Sequence, residues 1–235
     1  MAHIGKIIFV AVIVFLAYIS YAPVADFDPQ SNIPIVNLAY DEHIVDQEFV
    51  KKMKSFRHPE MFSLEDLDVD KSGKIYSGLT NGSLVTIENN ELKVIAHGKG
   101  IVLGIKLSED EQDLYFVDLR AGMCRLNLLT KEIEVLTNGY RGVPFNFIDN
   151  FDIAADGKIY ITDASIKYPQ DNYFMDLFEG KPHGRIYVYD PQTKATELLL
   201  ENLYFPNGIQ VSPDQQTLYF VETTAARISR HHLAG

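Results

Sequence analysis

Three polar residues stand at corresponding places, each just ahead of an apolar, strand-like segment. Glu65 precedes Asp-Leu-Asp-Val, Asn150 precedes Phe-Asp-Ile-Ala, and Asn207 precedes Gly-Ile-Gln-Val. Carboxylate and amide oxygens are the ligands that a hard cation such as calcium prefers. If the three segments converge in space, these side chains could hold one cation. The alternative is that they are turn residues, because Asn tolerates left-handed backbone conformations. Spacing alone favours neither interpretation.

A repeated phrase indicates which elements position these residues. An Asp, a turn and an aliphatic residue lead to Tyr76, Tyr115, Tyr160 and Tyr219, with an apolar, alternating segment on either side. Repeats of about 40–50 residues, built from short strands, are typical of a β-propeller. We therefore predict an all-β propeller with three four-stranded units and most of a fourth. The innermost strand of each blade lines the central channel, so equivalent strand starts should meet at one mouth of it.

Composition limits the classes of partner. The chain has 235 residues, with 21 Lys and Arg against 32 Asp and Glu, for a formal charge of −11. An acidic chain without a basic block repels phosphate backbones, so a nucleic-acid partner is not expected. Cys124 is the sole cysteine, which excludes an intrachain disulfide and a cysteine-based zinc site.

The N-terminus carries an apolar run from Ile7 to Ala22, with Lys6 before it. Such a run predicts a transmembrane helix or a signal peptide. Pro23 would follow the most plausible cleavage point, which favours an uncleaved signal anchor over residues 1–25. The positive-inside rule then gives a single-pass type II membrane protein, with the propeller on the lumenal or extracellular side. Residues 26–62 are predicted to form a tether and leading strand.

Two further segments invite a functional interpretation. Asn81-Gly-Ser is a glycosylation sequon, although Asn-Gly is also a favoured hairpin turn. The third unit carries a long insertion, residues 164–183, whose Tyr168, Tyr173 and Phe174 are predicted to shape a substrate pocket. The alternative for the insertion is a solvated loop. The chain has neither a phosphate-binding Gly-Lys-Ser/Thr loop nor a Gly-x-Ser-x-Gly nucleophile elbow.

Taken together, four stretches resemble the strictosidine synthase-related family, which includes the adipocyte plasma membrane-associated proteins. The resemblance covers about residues 63–235, a span that would be the propeller domain. It rests on the following stretches: Glu65 to Gly78, Asn150 with the Asp-Gly-Lys-Ile-Tyr-Ile-Thr-Asp that follows, His183 to Pro191, and Phe205 to Ser212.

This resemblance implies a six-bladed propeller of the paraoxonase and gluconolactonase group. It also implies that Glu65, Asn150 and Asn207 face one calcium ion in the channel, as in the metal-dependent relatives. Two departures stand out. Family members usually have Asn-Asp where this chain has Asn150-Phe151, and the Pro-Asp-Asn stretch that supplies a further acidic ligand in the next blade is missing. We therefore expect a C-terminally truncated member, which would be unstable or inactive alone.

Three functions remain open at this point. The first is a calcium-dependent, arylesterase- or lactonase-type hydrolase acting on a small ester, with the general base unidentified. The second is a strictosidine synthase-type condensation of an amine with an aldehyde. The third is a non-catalytic, membrane-tethered binding propeller.

Overall fold

The computed structural model describes residues 64–89 and 91–233. Their principal architecture is a series of antiparallel sheets, each built from strands that are consecutive in sequence. The first sheet contains β1 (Leu67–Val69), β2 (Ile75–Gly78), β3 (Ser83–Glu88) and β4 (Glu91–His97). The second contains β5 (Val102–Leu107), β6 (Asp113–Asp118), β7 (Gly122–Asn127) and β8 (Ile133–Thr137).

A short hairpin separates these sheets from the next two. It pairs β9 (Gly139–Tyr140) with β10 (Val143–Pro144). The third sheet contains β11 (Ile148–Ile153), β12 (Ile159–Asp163), β13 (Gly184–Asp190) and β14 (Ala195–Leu203). The fourth has three strands, β15 (Pro206–Val211), β16 (Thr217–Glu222) and β17 (Arg227–His232). The predicted three blades and most of a fourth are confirmed, and the fold is an all-β, propeller-like one.

The apolar core lies between blades. One cluster joins Leu84 of the first blade to Ile105 and Phe116 of the second. Two further clusters join the second blade to the third and the third to the fourth. Each blade therefore hides its apolar faces against its neighbours, as radial repetition of small sheets requires.

Polar contacts between innermost strands fix the register of neighbouring blades. The carboxylate of Asp68 accepts a hydrogen bond from the backbone N–H of Leu107 at 2.8 Å. Asp152 accepts one from the N–H of Val211 at 2.7 Å and also contacts Lys106 Nζ at 2.7 Å. Because Asp152 is buried, these contacts supply the partners that its charge requires.

The insertion in the third blade is partly helical. A 3-10 turn over Gln170–Asn172 leads into helix α1 (Tyr173–Glu179), which ends at Gly180 with φ +67°. Left-handed backbone favours Gly there, because it has no Cβ to clash. The sequence analysis did not predict this helix.

The remaining sequence predictions of architecture concern the N-terminus. The predicted signal anchor and tether lie outside the described residues. Within residues 64–89 and 91–233, no helix is both long and apolar enough to cross a membrane.

Candidate functional site

The innermost strands of three blades contain the same irregularity at the same place. In β5, β11 and β15 the register shifts so that two residues stand opposite one on the neighbouring strand. The two-residue bulges are Leu103-Gly104, Asp149-Asn150 and Asn207-Gly208. Such bulges are enriched next to active sites, because they redirect side chains that a regular strand would point elsewhere.

The register corrects one sequence-based equivalence. Asn207 and Asp149 are the first residues of their bulges, while Asn150 is a second residue. In the third blade, Asp149 lies two residues before Phe151, which pairs with Ile161. In the first blade, Leu67 pairs with Ser77 in the same way, and the residue two before it is Glu65. Glu65, Asp149 and Asn207 are therefore equivalent, and Asp149 takes the place that spacing had given to Asn150.

Asn150 has a local structural role in this arrangement. Its Oδ1 atom accepts a hydrogen bond from the N–H of Phe151 at 2.7 Å. A methyl group added at Gly104 would lie 3.0 Å from the Asn150 Cα atom, so the glycine lets the second and third blades approach closely. The Asn150 amide thus stabilises the bulge that presents Asp149.

The starts of β11 and β15 are joined by one buried hydroxyl. Thr162 Oγ1 lies 2.9 Å from the carbonyl oxygen of Asn207 and accepts a hydrogen bond from the N–H of Asn150 at 3.0 Å. Thr162 is fully buried. Thr162 therefore holds the bulges of the third and fourth blades in a fixed position relative to each other.

Asp149 is an uncompensated carboxyl group. It is 4% exposed, and no hydrogen bond from the described residues contributes to its pKa. Burial, together with the carboxylates of Glu65, Asp66 and Asp163, raises the pKa of Asp149 to about 8. Because the charge of Glu65 contributes to the raised pKa of Asp149, these two carboxyl groups share one electrostatic environment.

Glu65 experiences a similar environment at the start of the first blade. Partial burial and the neighbouring Asp66 carboxylate raise the pKa of Glu65. Two acidic groups whose ionisation is suppressed by burial and by neighbouring carboxylates would both be stabilised by a cation. The donor set of Glu65, Asp149 and Asn207 thus fits a hard cation on chemical grounds. No cluster of three His, Cys, Asp or Glu side chains arranged to hold a metal occurs among residues 64–89 and 91–233.

Asp163 belongs to a different, structural series at the ends of the second strands. Its carboxylate accepts a hydrogen bond from the N–H of Phe147 at 2.8 Å. Burial raises its pKa to about 6, while the backbone N–H groups of Phe147 and Asn146 oppose that rise. Asp118 and Glu222 occupy equivalent positions and likewise accept hydrogen bonds from preceding backbone. These side chains hold the connections between blades.

The three aromatic residues of the insertion that were predicted to shape a pocket differ in burial and in contacts. Tyr168 is buried, and its hydroxyl donates to Glu179 Oε2 at 2.6 Å. Tyr173 packs against the core and stacks on Phe174, which is 54% exposed. None of the three lines the cleft of about 410 Å³ beside the insertion, where residues 169–171 form that wall instead. This cleft is therefore not lined by the three aromatic side chains, and their role in shaping a substrate pocket stays a prediction.

Three polar side chains of the insertion come together without forming a catalytic triad: Ser165, Asp176 and His183. Ser165 Oγ donates to Asp176 Oδ2 at 2.5 Å, and His183 Nδ1 lies 3.0 Å from the same oxygen. A triad requires the imidazole to contact the nucleophilic hydroxyl. Here both groups contact the carboxylate instead, so the arrangement joins the two ends of the insertion to its helix.

Asn81 lies in an exposed turn between β2 and β3. The N–H of Gly82 donates to the carbonyl of Leu79 at 2.9 Å, and Gly82 has φ +86°. The turn interpretation of Asn-Gly is confirmed, and glycosylation of Asn81 stays a prediction.

The comparisons with known proteins agree on family and fold. The family model for strictosidine synthase matches residues 149–235. Protein STRICTOSIDINE SYNTHASE-LIKE 6 from Arabidopsis thaliana is 35% identical over 172 residues, which cover 71% of this chain and 46% of that protein. The adipocyte plasma membrane-associated protein of Danio rerio is 32% identical over 177 residues, covering 68% of this chain and 42% of that protein.

Solved structures with similar folds are more distant in sequence. A gluconolactonase from Xanthomonas campestris superposes with a TM-score of 0.59 at 18% identity, covering 74% of this chain and 63% of that one. Regucalcin from Agrobacterium tumefaciens, described as a calcium-binding protein, gives a TM-score of 0.57 at 20% identity, covering 74% and 55%. These similarities support the propeller fold alone. The chain spans about half the length of the curated relatives it matches, and over that span it is similar to strictosidine synthase-like and adipocyte plasma membrane-associated proteins.

Proposed function

We propose that the chain contributes to a calcium-dependent, hydrolase-type propeller that cleaves a small ester or lactone. The observation that carries this proposal is Asp149, a buried carboxyl group without a hydrogen-bond partner among the described residues, whose pKa other carboxylates raise. A bound cation would favour the ionised form of Asp149 and supply the partner that a buried carboxylate requires.

Each side chain has a distinct part in this proposal. The carboxylates of Glu65 and Asp149 supply negative charge from the first and third blades, and the amide oxygen of Asn207 supplies a neutral ligand from the fourth. Thr162 keeps the backbones of the third and fourth blades in register. A bound calcium ion would polarise a substrate carbonyl and stabilise the oxyanion.

Because this chain alone is expected to be inactive, the experiment is a turnover assay on a full-length protein with the complete propeller that the family resemblance implies. The substrates are phenyl acetate, p-nitrophenyl acetate and an aliphatic lactone, each assayed in calcium and in EDTA. We expect calcium-dependent hydrolysis that falls at least about tenfold in Asp149→Asn, because mutation even of residues that only support a metal ligand costs about 10–100-fold. Asp156→Asn, in an exposed turn of the same blade, is the matched control and should retain activity. Hydrolysis that EDTA and Asp149→Asn both leave unchanged would contradict the proposal.

A condensation of an amine with an aldehyde is the second candidate function, because the matching family model is that of strictosidine synthase. Mass spectrometry of the chain incubated with an aryl-ethylamine and an aldehyde would detect the condensed product. Its appearance in EDTA, without ester cleavage, would favour condensation. Absence of both reactions, with no calcium binding, would favour a binding propeller.

A further inference from the structure

A polar cleft of about 410 Å³ lies between the first blades and the insertion of the third. The turn after β2 and the loop from Gly98 to Ile101 contribute to it, as does Arg120 from the turn after β6. Residues 169–171 line it from the insertion. The cleft is a feature separate from the bulges that present Asp149 and Asn207.

Two cationic side chains and one carboxylate line this cleft. The charged residues that line it are Lys99, Arg120 and Asp171. Neither Lys99 nor Arg120 forms an ion pair with any residue in 64–89 or 91–233. The charged side chains of the lining therefore sum to one positive charge, in a chain whose formal charge is −11.

The backbones of both cationic residues are held by one buried carboxylate. Asp118 accepts hydrogen bonds from the N–H groups of Lys99 at 2.6 Å and Gly100 at 3.1 Å through Oδ2, and from Arg120 at 2.8 Å through Oδ1. Asp118 itself is fully buried. Because both backbones are attached to the same group, Lys99 and Arg120 extend from fixed points, which lowers the entropy lost on binding a ligand.

Gly100 allows the arginine to lie against the loop. A Cβ atom at Gly100 would come within 2.8 Å of Arg120 Cγ and 2.9 Å of its backbone nitrogen. Any larger residue would displace the arginine. The glycine thus brings the guanidinium-bearing residue and Lys99 to one wall of the cleft.

The cleft opens on the same face of the propeller as the candidate metal site. Its lining residues Ile101 and Asn146 lie one residue before the inner strand β5 and two residues before the inner strand β11. They lie two residues before Leu103 and three before Asp149, the first residues of two bulges. A ligand in the cleft would therefore lie beside the mouth where Glu65, Asp149 and Asn207 are expected to meet.

We propose that this cleft binds the carboxylate or phosphate group of a small anionic ligand, with Lys99 and Arg120 as its binding residues. Arg offers a planar pair of donors and Lys a point charge, a combination suited to either anion. Asp171 on the facing wall accepts a hydrogen bond from a hydroxyl group of the same ligand. This inference deepens the proposed function and rests on it in one respect: when the protein cleaves an ester, the anionic group in the cleft is part of that ester.

Anion binding is tested by calorimetric titration of the full chain with inorganic phosphate and with gluconate in calcium-free buffer. Sorbitol is the uncharged counterpart of gluconate. We expect both anions, and not sorbitol, to bind wild type. The double variant Lys99→Gln/Arg120→Gln should lose at least tenfold in affinity, while Lys93→Gln, on the outer strand of the first blade, should not. Circular dichroism checks the fold of each variant, and the wild-type affinity should fall as sodium chloride is raised.

The outcomes separate this inference from the proposed hydrolysis. Failure of both anions to bind folded wild-type chain, or equal affinity in the double variant, overturns the anion site whether or not esters are cleaved. Anion binding that follows the expected pattern supports the site even if no ester is cleaved. If esters are cleaved, the double variant should lose kcat/KM for p-nitrophenyl hemisuccinate and keep it for p-nitrophenyl acetate. Equal losses for both esters would overturn the assignment of the anion to the substrate.

Discussion

Asp149 and Asn207 occupy the same position in neighbouring blades, each as the first residue of a two-residue bulge in the innermost strand. The bulges are joined through Thr162, whose hydroxyl contacts the backbone of both strands. This relationship makes the two residues a pair, and it adds Asp149 to the set of candidate cation ligands.

Removing the Asp149 charge should stabilise the calcium-free protein at alkaline pH. Its pKa of about 8 lies above that of an unfolded aspartate, so the unfolded state releases a proton that the folded state retains. Stability should therefore fall as pH rises from roughly 4 to 8, a range set by the unfolded-state value and the folded-state value. We expect Asp149→Asn to raise the free energy of unfolding by about 1–3 kcal/mol at pH 8 and by less at pH 5. Thermal melts in EDTA at both pH values provide the measurement.

Asp156→Asn is the control for that pH dependence, with an effect of the opposite sign. The hydrogen bond with Lys158 lowers the pKa of Asp156, so its folded state favours the ionised form. Its stabilising effect is present above the pKa of an unfolded aspartate and is lost as pH falls through the lowered folded-state value. The substitution should slightly lower the melting temperature at pH 8. An Asp149→Asn variant that is also less stable at pH 8 than wild type would argue against an uncompensated carboxylate.

Asp152 should be important for the junction between blades. Asp152→Ala leaves the N–H of Val211 and the ammonium of Lys106 without their carboxylate, and the site is buried. Loss of a buried partner of this kind costs about 2–4 kcal/mol. Denaturant titration should report that loss, compared with less than about 0.5 kcal/mol for Glu91→Ala on an exposed strand. A cost no larger than that of Glu91→Ala would show that the contact does not join the blades.

Cys124 should be unreactive while the protein is folded. Burial and, to a smaller extent, the charge of Asp118 raise the pKa of its thiol to about 12. The thiolate is the form that alkylating reagents attack, and it is scarce at pH 8. Mass spectrometry should find Cys124 unmodified by iodoacetamide in native buffer and fully modified in guanidinium chloride. Rapid native labelling would mean that the junction of the first two blades opens readily.

Ser165 should prove structural. Its hydroxyl donates to Asp176 and accepts hydrogen bonds from the N–H groups of Lys167 and Tyr168. We expect Ser165→Ala to lower stability by about 1–3 kcal/mol, to retain any ester turnover, and to leave labelling by a fluorophosphonate probe as low as in wild type. Lost turnover at unchanged stability would instead identify Ser165 as a nucleophile.

The sequence predicts the blades well because the signals are local. The second strand of each blade contains one of the repeated tyrosines: Tyr76, Tyr115, Tyr160 or Tyr219. Each tyrosine pairs with a residue of the first strand of its own blade, and that residue faces the innermost strand of a neighbouring blade. Alternation of apolar and polar residues sets the face that each strand buries. Strand pairing and blade order follow from those two features.

The candidate site is predicted less completely, since a bulge adds a residue that periodicity does not reveal. Spacing predicts that Asn150 is equivalent to Glu65, because both come just before a strand. The bulge adds one residue, and the residue equivalent to Glu65 is therefore Asp149. A signal was present: Glu65 precedes Tyr76 by eleven residues, and Asp149 precedes Tyr160 by the same eleven. The cleft around Lys99 and Arg120 depends on Asp118 and Gly100, which meet only in the folded chain.

Calcium binding, measured by thermal melts and calorimetry of wild type and Asp149→Asn, tests the central claim most directly. We expect one calcium ion per chain and a rise in melting temperature with calcium concentration, because a ligand that binds only the folded state stabilises it. Asp149→Asn should be the more stable protein in EDTA at pH 8 and should gain little or nothing from calcium. A wild-type chain that binds no calcium, or a variant that binds it as tightly as wild type, would contradict the claim that the blade starts hold a cation.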